Sequence, residues 1–159
     1  MNPLVRSAMT LAALVLGSTA VAGGLSLGSV LIPIGSPAEP TVARLRESYS
    51  VRAMGAAWEV RSSKPGDPLV LIGARDGLIV HVSHLWSPNV QPSLEEMTKQ
   101  LAQALPTKRA CTVENDERKG EGGVGLVRTL VFTCGKETAR FQTSFWQGGG
   151  SASMSVDLK

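Results

Sequence analysis

From Tyr49 onward the chain is written largely in a period of two. Tyr49, Val51 and Ala53 fall on one side against Ser50 and Arg52, and Trp58 and Val60 continue the alternation against Glu59 and Arg61. Successive strand residues point to opposite faces, so these runs predict half-buried strands. Residues 69–72 and 78–86 flank Gly73-Ala74-Arg75-Asp76-Gly77, whose Asp-Gly pair before a β-branched run predicts a hairpin. Stretches 110–115, 124–134, 138–146 and 151–158 also read as strands. In the last of them Ala152, Met154, Val156 and Leu158 face inward and Ser151, Ser153, Ser155 and Asp157 outward. Ala139, Phe141, Thr143 and Phe145 supply the matching buried face across a Gly148-Gly149-Gly150 turn.

Between residues 93 and 105 the period changes to that of a helix. Ser93 and Glu96 have the spacing of a capping box, Leu94, Met97, Leu101 and Leu105 recur on one face, and Pro106 ends the element. The opposite face, with Glu95, Lys99 and Gln103, is polar, so this helix is expected to lie against a sheet. Val42 and Leu45 predict a shorter helix over 41–47, behind Pro40. The expected fold class is α+β: a mostly antiparallel sheet of about six or seven strands, with one main helix over 93–105 packed on one face.

Ahead of this pattern lies a run of the opposite kind. No residue between Arg6 and Glu39 is charged; an apolar stretch from Met9 to Leu16 follows Arg6, and Ala20-Val21-Ala22 has the small-x-small form of a cleavage site. This predicts a secretory signal peptide over 1–22. The alternative is an uncleaved anchor reaching to about residue 34, with Leu11 to Ile32 as its span. Either way Arg6 stays on the cytoplasmic side, and the rest is expected to be periplasmic or secreted, or held at the membrane only through that segment. A linker over 35–40 and a single domain over 41–159 complete the expected organisation.

Cys111 and Cys134 are the only thiols, and an even pair in an exported chain reads as a disulfide. Register supports the pairing. Residues facing each other across a hairpin share a midpoint at its turn, and that of 111 and 134 falls between Gly122 and Gly123, inside the glycine-rich run 120–125.

Candidate chemistry is sparse. The formal net charge of +3 is dispersed, without the basic stripe of a nucleic-acid binder, so no nucleic acid is expected as partner. Gly120, Gly122 and Gly125 match a dinucleotide-binding glycine pattern, but a strand-like run follows where a helix is required. Gly24-Leu25-Ser26-Leu27-Gly28 matches a nucleophile elbow, but it lies in the uncharged segment. His81 and His84 sit three apart in one strand, pointing to opposite faces, which disfavours a shared metal. No cofactor is expected.

Either histidine, with Trp86, can line a binding surface. Asp116, Glu117 and Arg118 lie in a charged stretch read as a solvated hairpin tip, a second place for a partner to dock. The functional expectation is an exported, non-enzymatic binding or accessory domain acting through protein contact. The alternative is a small cell-envelope hydrolase using His81 or His84 as base.

Overall fold

Nearly every period-two stretch becomes a strand in the computed structural model, which describes residues 23–88, 90–105, 110–120 and 125–159. A hairpin of β1 (Gly24–Leu27) and β2 (Val30–Pro33) leads into α1 (Ala38–Arg46). Then come β3 (Ser50–Met54), β4 (Ala57–Arg61), β5 (Leu69–Arg75), β6 (Leu78–Leu85) and α2 (Leu94–Ala104). The chain closes with β7 (Thr112–Lys119), β8 (Leu126–Cys134), β9 (Glu137–Trp146) and β10 (Gly149–Leu158). Eight strands form one antiparallel sheet in the order β3-β4-β5-β6-β10-β9-β8-β7. The C-terminal strand thus joins two runs of consecutive hairpins by pairing with β6, Val156 opposite Val82.

Among the described residues the fold is β-rich with two helices, and the ten strands in two sheets exceed the six or seven expected. The main correction lies at the amino-terminal side. Residues 1–22, the expected signal peptide, lie outside the described residues, whereas 24–33 form a hairpin in which Leu25 pairs with Ile32 and Leu27 with Val30. Leu25, Leu27, Ile32 and Ile34 are buried against the large sheet, each burial stabilising by about 1.5–3 kcal/mol. A helical span running to Ile32 is therefore overturned. Among the described residues no helix is long and apolar enough to cross a membrane. An uncharged apolar run suits a bilayer and a protein core equally, and composition alone does not separate them.

The expected linker over 35–40 is likewise part of the domain. Gly35 N–H donates to the Ile79 carbonyl at 2.7 Å, Ala38 N–H to Gly77 at 2.9 Å, and Ile79 N–H returns a bond to Ser36 at 2.9 Å. The packed unit thus starts well before residue 41. α1 starts at Ala38, with Pro40 in its first turn, where a missing N–H leaves no helical bond unmade. Val42 and Leu45 are fully buried, as their spacing predicts.

Both helices and the small hairpin lie on the same face of the large sheet, here the inner face. Paired residues share a face, so the register places Val60, Val70, Ile72, Val82, His84, Met154, Phe141 and Phe132 there together. α1 packs near β3, and β1 near β6 and β10. Helix α2 is capped by Ser93, whose hydroxyl accepts from Glu96 N–H at 3.1 Å. The Glu96 carboxylate accepts from the Gln100 side chain at 2.6 Å. Gln100 in turn completes the free edge of β1: Ser26 N–H donates to its Oε1 at 3.0 Å, and its Nε2 donates to the Ser26 carbonyl at 2.8 Å. This amide bridge fixes the roll of α2, so Gln100 and Ala104 are its buried residues instead of the whole predicted leucine stripe.

Candidate functional site

The stripe displaced by that roll faces an open groove. Met97 and Leu101 of α2 form one wall, and Leu130, Phe132, Phe141 and Met154 of the inner sheet face form the other. The cleft encloses about 170 Å³ and is almost wholly apolar. At its mouth Leu94 is 76% exposed. Beyond α2, among the described residues, the same sheet face continues uncovered through Leu130, Phe145 and Val113, all exposed. Phe145 is thus less buried than its alternation predicts. A cleft of this size holds one or two side chains, well below the roughly 300–1,000 Å³ of small-molecule sites.

The uncovered face ends at a charged edge. β7 carries Thr-Val-Glu-Asn-Asp-Glu-Arg-Lys with every residue exposed. Asp116, Glu117 and Arg118 therefore lie in an edge strand and not in a hairpin tip, which is a correction. Glu117 is on the inner face, where Arg128 Nε donates to it at 2.7 Å, while Asp116 and Arg118 alternate to the outer face. Charge on an edge strand blocks pairing with a further strand, so a polar sequence is tolerated there. The register holding it is the one predicted: Thr112 pairs with Thr133, and Cys111 and Cys134 form a disulfide with Cα atoms 4.4 Å apart.

The two histidines part company. His84 is fully buried on the inner face, its ring edge-on to Trp86 with centroids 5.7 Å apart. Among the described residues no protein group bonds either ring nitrogen, and burial pushes its pKa down to about 4. His84 is thus a core residue with no exposed surface, and Trp86, 5% exposed, is nearly buried. His81 points to the outer face. Its Nδ1 lies 2.6 Å from Asp157 Oδ1 and its Nε2 3.1 Å from the Ser83 hydroxyl. That chain has the hydrogen-bond order of a Ser-His-Asp triad.

Two features weigh against catalysis there. β6 is paired on both sides, by β5 and β10, so its backbone N–H groups are engaged in the sheet and offer no oxyanion hole. Ser83 is only 6% exposed, leaving little room for a substrate to reach its hydroxyl. Ser83 was findable at two residues from His81, on the same strand face. Asp157 was not, because it meets His81 only through the long-range pairing of β10 with β6.

A larger, polar cleft of about 410 Å³ lies between the β1–β2 turn, the loop around Asp67 and the start of α2, with Trp86 at its wall. It gathers Asp67, Glu96 and Lys99, but no nucleophile poised beside a base. Ser26, of the apparent nucleophile elbow, sits in the middle of β1 with Gln100 as its neighbour. Gly120 and Gly125 close the β7–β8 hairpin, and a strand follows them; Gly122 lies outside the described residues.

The proposed surface residues are therefore scattered: His84 and Trp86 in the core, His81 on the outer face, and Asp116, Glu117 and Arg118 on the far edge. The groove residues went unnoticed as a site because periodicity tells which face a side chain takes, not whether anything covers it. Comparison with family models, with curated proteins and with solved structures finds no match, and the chemistry of the residues alone carries the functional reading.

Proposed function

We propose that this chain is an exported, non-enzymatic binding domain whose inner-face groove receives an apolar segment of another cell-envelope protein. The observation that carries the reading is the apolar face from Leu94 through Leu130 to Phe145, exposed among the described residues while Val60, Val70, Ile72 and Val82 of the same sheet face are fully buried. Contiguous exposed apolar surface rimmed by charge marks interaction sites. The small cleft favours a side chain of a protein over a free ligand, and the charged β7 edge disfavours strand addition, leaving the face itself as the contact. A disulfide is compatible with an extracytoplasmic location.

The test is affinity for the partner identified by site-specific crosslinking from position 130. Leu130→Glu is expected to weaken binding at least about tenfold while leaving the melting temperature within about 2 °C, since exposed positions contribute little to stability. Unchanged affinity would contradict the reading.

The His81–Asp157–Ser83 chain favours a second reading, a small hydrolase with Ser83 as nucleophile and His81 as base. A fluorophosphonate probe separates the two. Labelling of Ser83 that disappears in His81→Gln would establish the hydrolase; the binding reading predicts no labelling.

A further inference from the structure

We propose that the polar cleft beside α2 is a second binding site, separate from the apolar groove, and that its ligand is an N-acetylated amino sugar within an oligosaccharide. At about 410 Å³ the cleft falls in the size range of small-molecule sites, whereas the groove does not, and the two share no lining residue. The cleft is built from the β1–β2 turn, the loop 65–68, and Trp86 with residues 90–99. Its walls are held in place. The Tyr49 hydroxyl donates to the Leu27 carbonyl at 3.0 Å on the turn side, and the Ser93 cap fixes the start of α2. Pro65 and Pro68, with their backbone torsion locked, bracket Asp67.

The lining sets the chemistry of the ligand. Asp67 and Glu96 bring carboxylates, which only accept hydrogen bonds; Lys99 brings an ammonium, which only donates; Gln91 brings an amide that does both. One Glu96 oxygen accepts from Gln100, while the side chains of Asp67, Lys99 and Gln91 have no partner among the described residues. An anion in this cleft would meet two carboxylates, and a cation would meet Lys99. A zwitterion would satisfy Lys99 and one carboxylate and leave the other bare. Neutral hydroxyls donate to both carboxylates and accept from the ammonium, so a sugar ring serves all three.

The acetamido group follows from what remains. Its amide pairs with Gln91, and its methyl rests on Val90, Pro92 and the exposed part of Trp86. An indole 5% exposed and packed edge-on to His84 is a fixed surface for such a contact. A second cleft of about 320 Å³ shares residues 65–68 with the first and adds Ser62, Ser63 and Ser87 beside Arg61 and Lys64. A chain of more than one sugar therefore has polar partners on the far side of the loop.

The experiment titrates the protein, with its disulfide formed, with chitotriose and follows the indole N–H resonances of its three tryptophans by NMR. The Trp86 signal is expected to shift saturably with a Kd of about 1 mM or below. Asp67→Asn and Gln91→Ala, both at exposed positions, should each weaken binding at least about fivefold while leaving the melting temperature within about 2 °C. Cellotriose, which lacks the acetamido groups, should bind at least about fivefold more weakly, and trigalacturonate and dialanine more weakly still. No saturable shift of Trp86 up to about 10 mM chitotriose overturns the proposal. So does undiminished affinity in both variants, equal binding of cellotriose, or tighter binding of trigalacturonate or dialanine. Leu130→Glu, which tests the groove, should leave chitotriose binding unchanged, so the two readings fail separately.

Discussion

On β4, β5 and β6 the inner-face residues Val60, Val70, Ile72 and Val82 expose nothing, whereas on β7, β8 and β9 their counterparts Val113, Leu130 and Phe145 are 59, 36 and 38% exposed. Both sets belong to one continuous face. The difference is in what lies above them. Among the described residues the first half is roofed by the β1–β2 hairpin and α1, the second only by α2, whose roll is set by the Gln100 bridge to Ser26. Burial is thus a property of the cover and not of the strand pattern. The covered half is placed to carry stability by apolar packing, and the open half is held by its disulfide and presents its face.

Truncation at matched positions should break this symmetry most visibly. Ile72→Ala in the covered half is expected to cost about 2–5 kcal/mol in urea unfolding, and Leu130→Ala in the open half about 1 kcal/mol or less. Equal costs would remove the distinction.

Acid should act on the covered half. His84 titrates near 6.5 in the unfolded chain but near 4 when buried, so below about pH 6.5 the unfolded state binds a proton that the folded state refuses. Its contribution is complete above pH 6.5 and is lost as the pH falls toward 4, by about 3 kcal/mol in all. Urea midpoints measured across this range should fall in the parent and flatten in His84→Leu; a parallel fall in both would show that other groups cause it.

Removing the disulfide probes the other half. Replacing Cys111 and Cys134 by serine should lower stability by roughly 3 kcal/mol, the chain-entropy value for a loop of this length. Hydrogen exchange should then accelerate first in β7 and β8, with β4 to β6 protected; uniform acceleration would contradict separate supports. The smallest effect concerns the only helix over the open half: Ser93→Ala removes the cap of α2 and should cost about 1 kcal/mol in thermal unfolding.

How much of this the sequence discloses follows from the range of each interaction. The register of Cys111 and Cys134 was legible because two local signals, the thiol pair and the glycine-rich turn, share one midpoint. The Ser93 cap and the inward set Ala152, Met154 and Val156 were legible for the same reason. The insertion of β10 beside β6 was not, since nothing local reports a pairing across some seventy residues, and with it went the Asp157–His81 contact. Strand β7 was half missed because a polar edge strand has no apolar alternation. Residues 24–34 admit the alternative of an uncleaved anchor because a buried hairpin and a bilayer span share their apolar composition, and the groove was invisible because α2 is turned by one polar side chain, Gln100.

A photoreactive residue at position 130, compared with one at position 153 on the outer face, tests the central claim most directly when the full chain is crosslinked in the exporting cell. The account predicts one discrete adduct with a different envelope protein from position 130, absent from 153 and lost when Phe145→Glu is added. An adduct at twice the mass of the chain, equal adducts from both faces, or none from position 130, would contradict it.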